Sequence, residues 1–177
     1  MRPIADAGHL SLLFAAYAEH AFIDEMGVTD TRLIDYLSTL LVRFIHGDQI
    51  FAMKHPDGRR YLAIADMFEE IERSEKVGPE RRELFRHIGD FALFWTGVFP
   101  EAVKRHNRWA HADIEDYTKQ GKRSYYVAST YCDTQEQADQ APLLRRLSSD
   151  FELCAVGLRR ARDLWESDYS TQGPVGM

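Results

Sequence analysis

The chain has only two cysteines, Cys132 and Cys154, and neither belongs to a Cys-x-x-Cys pair or lies beside a pair of histidines. That removes zinc-ribbon and thioredoxin-like chemistry, which needs two thiols at close spacing. Long apolar runs are also missing. A helix crossing a bilayer needs about 20 apolar residues, whereas the longest run here, Ile88–Phe99, is shorter and is broken by Asp90. Positive charge is scarce as well, with 22 Lys and Arg against 28 Asp and Glu and a net charge of −6. The basic pairs Arg59-Arg60, Arg81-Arg82, Arg145-Arg146 and Arg159-Arg160 are scattered and read as solvated helix faces. Such a chain repels a phosphate backbone and gains solubility instead, so neither nucleic acid nor membrane is an expected partner.

Several catalytic signatures are absent too. There is no Glu-x-x-His, the pair that di-iron bundles draw from facing helices, so His106 and His111 near Asp113 and Glu115 make a poor metal site. No glycine-rich phosphate loop follows a strand, and Ser124, Ser148 and Ser149 lack a histidine partner or an elbow motif. No cofactor and no metal are expected. Leu10–Ala18, ending in Ala16-Tyr17-Ala18, imitates an export signal. However, Asp6 and His9 precede it, Arg2 alone supplies basic charge, and the stretch merges into an amphipathic helix. The expected location is the cytoplasm.

What the sequence does contain is helical periodicity. With 177 residues, 45% of them hydrophobic, it can bury one substantial core. The reading is an all-α, single-domain bundle of about six helices over residues 1–166, with a disordered tail at 167–177. The first helix runs from about His9 to Met26 on a stripe of Leu13, Ala16, His20 and Ile23, and Gly27 stops it. Thr29 or Asp30 caps a second helix with the stripe Leu33, Leu37, Leu40 and Phe44. Ile50–Tyr61 does not read as helix, and its His55-Pro56-Asp57-Gly58 turn admits one short β-hairpin near 50–62.

Helical spacing returns at Leu62–Lys76, and Gly78-Pro79 opens the next helix, which runs to about Gly97. Gly97–Pro100 is a break or kink before a short helix around Glu101–Arg108, and Asp113 or a residue near it starts a helix through Tyr125, Tyr126 and Tyr131. A last helix carries Leu144, Leu147, Phe151, Cys154, Leu158, Ala161 and Trp165 at three-four spacing, the seam of a packed bundle.

The residues that invite a chemical reading are His87, Asp90, Trp95, Arg123 and Tyr126. His87–Gly97 is apolar on nearly every side and takes Asp90 inside, where a carboxylate must find a partner. Arg86, four residues earlier, supplies one, and an internal Arg86–Asp90 ion pair is the favoured reading. The competing reading turns His87 and Asp90 toward a pocket, with Gly97 leaving room for a ligand or for a close helix contact. Trp95, Phe99, Tyr125, Tyr126 and Tyr131 suit a core better than a flat-ligand pocket, and Lys122 with Arg123 suit solvent better than an anion.

The segment His87-Ile88-Gly89-Asp90-Phe91-Ala92-Leu93-Phe94-Trp95-Thr96-Gly97-Val98-Phe99-Pro100-Glu101 resembles the signature of a group of uncharacterised bacterial all-helical proteins. Gln120–Tyr126 and Leu147–Leu153 resemble its later segments. The resemblance covers roughly Asp30 to Glu166 and implies an all-helical fold but no activity. Two functional readings follow. The leading one is an interaction or scaffold domain that binds another protein or a second copy of itself through a surface groove. The other is a small-molecule-binding or enzymatic domain with a pocket around His87, Asp90 and Tyr126.

Overall fold

A computed structural model describes residues 7–45, 64–106 and 113–171. Among these residues there are eight α-helices, one π-helical segment and no strand. The 50–62 hairpin of the sequence reading lies outside the described residues. The helices are α1 (Ala7–Glu19), continued by the π-helical segment His20–Glu25, then α2 (Thr31–Ile45), α3 (Ile64–Arg73), α4 (Gly78–Val98), α5 (Pro100–His106), α6 (Ile114–Ser129), α7 (Gln135–Ser149) and α8 (Phe151–Thr171).

α4 is the central element. From Ile88 to Phe94 every residue is buried, as expected of a helix whose surface is apolar all round. It packs against α6 and α8 over its longest contacts, and against α2, α3 and α5 over shorter ones. Gly97 makes the approach of α8 feasible: a Cβ there would lie 3.2 Å from the Ala155 backbone and 3.1 Å from the Leu158 Cβ. The space left by this glycine is therefore filled by another helix. α8 also completes the hydrogen bonding of the α4 C-terminus. Arg159 Nε donates to the Gly97 carbonyl at 3.0 Å and an Arg162 terminal nitrogen donates to that of Val98 at 2.6 Å. These carbonyls belong to the last turn, which has no partners of its own within the helix.

The local start and stop signals act as the sequence implies. Gly27 has φ +69°, the left-handed conformation that ends a helix. The Asp30 carboxylate accepts from the Leu33 amide and starts α2, whose Leu33, Leu37, Leu40 and Phe44 are all buried. Asp113 and Asp116 form a reciprocal capping box at α6. The Asp113 carboxylate is thereby occupied.

Three expectations change. The buried residues of the first helix are Phe14, Ala18, Ala21 and Phe22, whereas Ala16 and His20 are exposed and Ile23 is 40% exposed. Phe14, Ala18, Ala21 and Phe22 keep three-four spacing on the neighbouring side of the helix, which widens into the π-helical segment only from His20. The long last helix is two helices, α7 and α8, meeting at Asp150 (φ −103°, ψ 26°). Its seam survives the bend because the Asp150 amide still donates to the Arg146 carbonyl and the Cys154 amide to that of Asp150. Finally, residues 167–171 of the proposed disordered tail are the last turn of α8, held by Tyr17 donating to Asp168 at 2.9 Å.

Leu147 and Phe151 lie on either side of the Asp150 bend, both fully buried in one hydrophobic cluster to which every described helix contributes. Truncating either to alanine leaves a cavity and is expected to lower stability by about 2 to 5 kcal/mol. Denaturant titration checks this, and losses below about 1 kcal/mol for both would mean that the seam is not part of the core.

Candidate functional site

Asp90 sits in the middle of α4 with no exposed surface. Its carboxylate is fully engaged. Oδ1 accepts from the Tyr36 hydroxyl at 2.5 Å and from the Tyr125 hydroxyl at 2.7 Å. Oδ2 accepts from Arg43 at 3.0 Å and from Arg86 at 3.3 Å. A carboxylate offers about four acceptor directions, and four donors take them. The Arg86–Asp90 pair expected from their four-residue spacing is present, within a larger cluster that joins α2, α4 and α6.

Each donor is placed by its helix. Tyr36 and Arg43, two turns apart on α2, flank the buried stripe on the side that faces α4. Tyr125 projects from the buried side of α6 and lies flat on α4 at Gly89, where a Cβ would meet its ring at 2.7 Å. Only glycine at position 89 lets the hydroxyl come so close to the carboxylate. Burial, together with the charge of Asp90, pushes the Tyr36 and Tyr125 hydroxyls above their ordinary 10.0, so both keep the proton they donate. Burial also opposes the charge on Arg86, but Asp90 and Tyr36 outweigh it and hold the guanidinium protonated.

This arrangement rules out one chemical role for Asp90. A general base needs a lone pair within reach of a substrate proton, and here the acceptor positions are occupied by protein donors and closed to solvent. His87 does not take over that role. Its ring stacks on Phe44 at 6.1 Å, and its Nε2 is buried without a hydrogen-bond partner. Burial lowers its pKa; Asp90 opposes the shift, and Arg86 and Arg43 add to it.

The other candidates lie elsewhere. Trp95 belongs to an aromatic cluster, meeting Phe91 and Phe94 edge-on at 6.2 and 5.6 Å, with Nε1 buried and unpartnered. Arg123 is exposed on α6 with its guanidinium 5.9 Å from the Phe68 ring centre. Tyr126 is 56% exposed, and its neighbour Tyr125 is the tyrosine that reaches Asp90. The five residues singled out from the sequence do not converge on one pocket.

The concave surface is built instead from residues around the arginines. A cavity of about 630 Å³ between α4 and α7, with Tyr36 of α2 at one end, is lined among others by Arg82, Glu83, Arg86, Gln140, Leu143 and Leu144. A second, of about 470 Å³, is lined by Arg32, Asp35, Tyr36, Thr39, Arg43, Arg86 and Leu143. They share Tyr36, Arg86 and Leu143, so they lie side by side along α2, α4 and α7, with the Asp90 cluster beneath the shared residues. Arg82 is only 4% exposed and donates to Glu83 at 2.6 Å and to Gln140 at 2.8 Å. The pair Tyr36 and Arg43 was the missed signal: two polar residues seven apart beside an apolar helical stripe share a helix face.

Among the described residues no group of three His, Cys, Asp or Glu side chains is placed to hold a metal ion, and no helix is long and apolar enough to cross a membrane. Comparison with protein-family models, curated proteins and solved structures yields no match to this chain.

Replacing Asp90 by Asn removes the charge that two guanidinium groups share inside the fold. The expected loss is about 3 to 5 kcal/mol in denaturant titration, because Arg43 is left without its carboxylate and Arg86 keeps only Glu83. An Asp90→Asn protein as stable as the parent would show that the carboxylate is not what the arginines depend on.

Proposed function

We propose that this protein is a helical interaction domain, and that its working surface is the groove along α2, α4 and α7, where it takes a segment of a partner protein. The observation that carries this reading is that the two cavities adjoin at Tyr36, Arg86 and Leu143. Three helices contribute to one elongated, solvent-open concavity, which suits an extended or helical segment better than a compact metabolite. Its polar walls are already fixed. Arg43 and Arg86 are held from below by Asp90, and Arg82 is held by Glu83 and Gln140. Side chains ordered before binding lose less entropy on binding.

The enzymatic alternative centred on His87, Asp90 and Tyr126 is less well supported. Asp90 has no acceptor position to offer, His87 and Asp90 line neither cavity, and Tyr126 faces solvent. A soluble, single-domain protein acting in the cytoplasm fits this reading. So does the likeness of His87–Glu101 to bacterial helical proteins, which adds no activity.

A random peptide library selected against the folded protein tests the proposal. Bound peptides are expected to lose affinity by about tenfold or more when the groove is obstructed by Leu143→Arg, a steric block costing on the order of 1.4 kcal/mol. Thr39→Trp, at an exposed position lining the second cavity, should weaken them without disturbing the core. Peptides that bind both folded variants as well as the parent would place the binding surface elsewhere.

A further inference from the structure

We propose that His87 is an acid-sensitive latch: a proton on its buried nitrogen loosens the seat of α2 on α4, and with it the α2 wall of the second cavity. The inference goes beyond the groove reading and holds whatever binds there. His87 lies on α4 with its ring stacked on Phe44 of α2 at 6.1 Å and an interplanar angle of 26°. Nε2 is buried and has no hydrogen-bond partner. A neutral imidazole carries one proton, so its buried nitrogen can stay bare, whereas an imidazolium carries two and Nε2 must then donate. Nothing is placed to receive that proton. Asp90, the carboxylate that acts on the ring, already accepts from Tyr36, Tyr125, Arg43 and Arg86.

The charges around the ring oppose protonation as well. Among the described residues, those that act on it are Asp90 and Arg86 of its own helix and Arg43 of α2, two positive and one negative. α6 faces the cluster with the Tyr125 hydroxyl, which is spent on Asp90, and no other described helix contributes a charge that acts on the ring. Phe44 attracts an imidazolium only weakly at this separation, and the Arg43 guanidinium already lies 5.9 Å from its ring centre. Burial is the largest influence, and it holds the His87 pKa below its ordinary 6.5.

An added proton is accommodated in one of two ways. Either the ring leaves Phe44 to reach water, or it competes for Asp90 with the donors held there, two of which, Tyr36 and Arg43, stand on α2 with Phe44. Both routes part α2 from α4. That attachment is narrow, since α2 makes its longest contacts with α1 and shorter ones with α4, α7 and α8. Tyr36, Thr39 and Arg43 line the second cavity, so an α2 that loosens unmakes its wall. In the opened chain His87 takes up its proton as pH falls through 6.5, while the seated ring resists until lower pH. The stability it contributes is therefore complete above 6.5 and is lost below it, by up to about tenfold in the opening constant per pH unit. Glu152, held below its ordinary 4.5 by the hydrogen bond from Lys122, titrates outside this window.

Three measurements on the full chain test the latch, and none of them uses a ligand, so they stand apart from the test of the groove. NMR titration of the parent should give the His87 imidazole a midpoint below 6.5, and a midpoint at or above 6.5 would overturn the proposal. His87→Phe keeps an aromatic ring against Phe44 but takes no proton. The ratio of unfolding constants, parent over variant, should rise about five- to tenfold between pH 7.5 and pH 5.5 in denaturant titrations, and a rise below about threefold would overturn it. Should His87→Phe fail to fold, His87→Gln serves the same comparison. Amide hydrogen exchange, corrected for its intrinsic pH dependence, locates the effect. α2 should open more readily relative to α8 at pH 5.5 than at pH 7.5 in the parent and not in the variant. Opening spread equally over α2 and α8 would overturn the assignment of the latch to the α2 seat.

Discussion

A carboxylate in the middle of the central helix is the constraint around which this fold is arranged. Taking Asp90 out of water costs several kcal/mol unless its lone pairs are satisfied, and α4 alone supplies a single partner, Arg86. Tyr36 and Arg43 must come from α2 and Tyr125 from α6. The crossing of α2 and α6 over α4 is therefore fixed by chemistry as well as by apolar area. A displaced helix would leave the buried charge without donors, whereas a displaced leucine costs only contact.

That constraint reaches the surface through the arginines. Exposed arginines ordinarily sample many rotamers and lose that freedom on binding. Arg43 and Arg86 are instead held by a fully buried acceptor, so their outer ends occupy fixed places in the groove between α2, α4 and α7. One residue that touches no solvent thus organises the polar wall of the concavity. The same saturation that makes Asp90 a structural centre keeps it from acting as a base. Stability and surface shape depend on one cluster, and a proton-transfer role does not fit it.

The parts legible in the sequence were those encoded locally. The α2 stripe, the Asp113 cap, the Gly27 stop and the apolar surface of α4 are patterns within a few turns, and the Arg86–Asp90 spacing reads directly as a helical pair. The buried side of the first helix was not legible, because Leu13, Ala16, His20 and Ile23 and Phe14, Ala18, Ala21 and Phe22 both keep helical spacing and only packing chooses between them. The Asp150 bend was hidden by the continuity of its seam. The Thr134-x-x-Gln137 capping box, which opens α7, was present in the sequence and marks where a separate helix begins. At the site, sequence could bury Asp90 but could not say which helices would face it. Tyr125 and Tyr126 are neighbours about 100° apart on α6, and the glycine at position 89, on another helix, admits the ring of Tyr125.

The most direct test is a double-mutant cycle between Asp90 and Arg43, residues 47 apart in sequence and in contact only through the fold. Stability is measured in denaturant for the parent, Asp90→Asn, Arg43→Met and the double variant. A shared buried charge cluster requires non-additivity: the double variant should be less destabilised than the sum of the single variants by about 1 to 3 kcal/mol, because removing both partners leaves less charge uncompensated than removing one. Additivity within about 0.5 kcal/mol would mean that the two residues do not depend on each other, and would contradict an Asp90-centred fold.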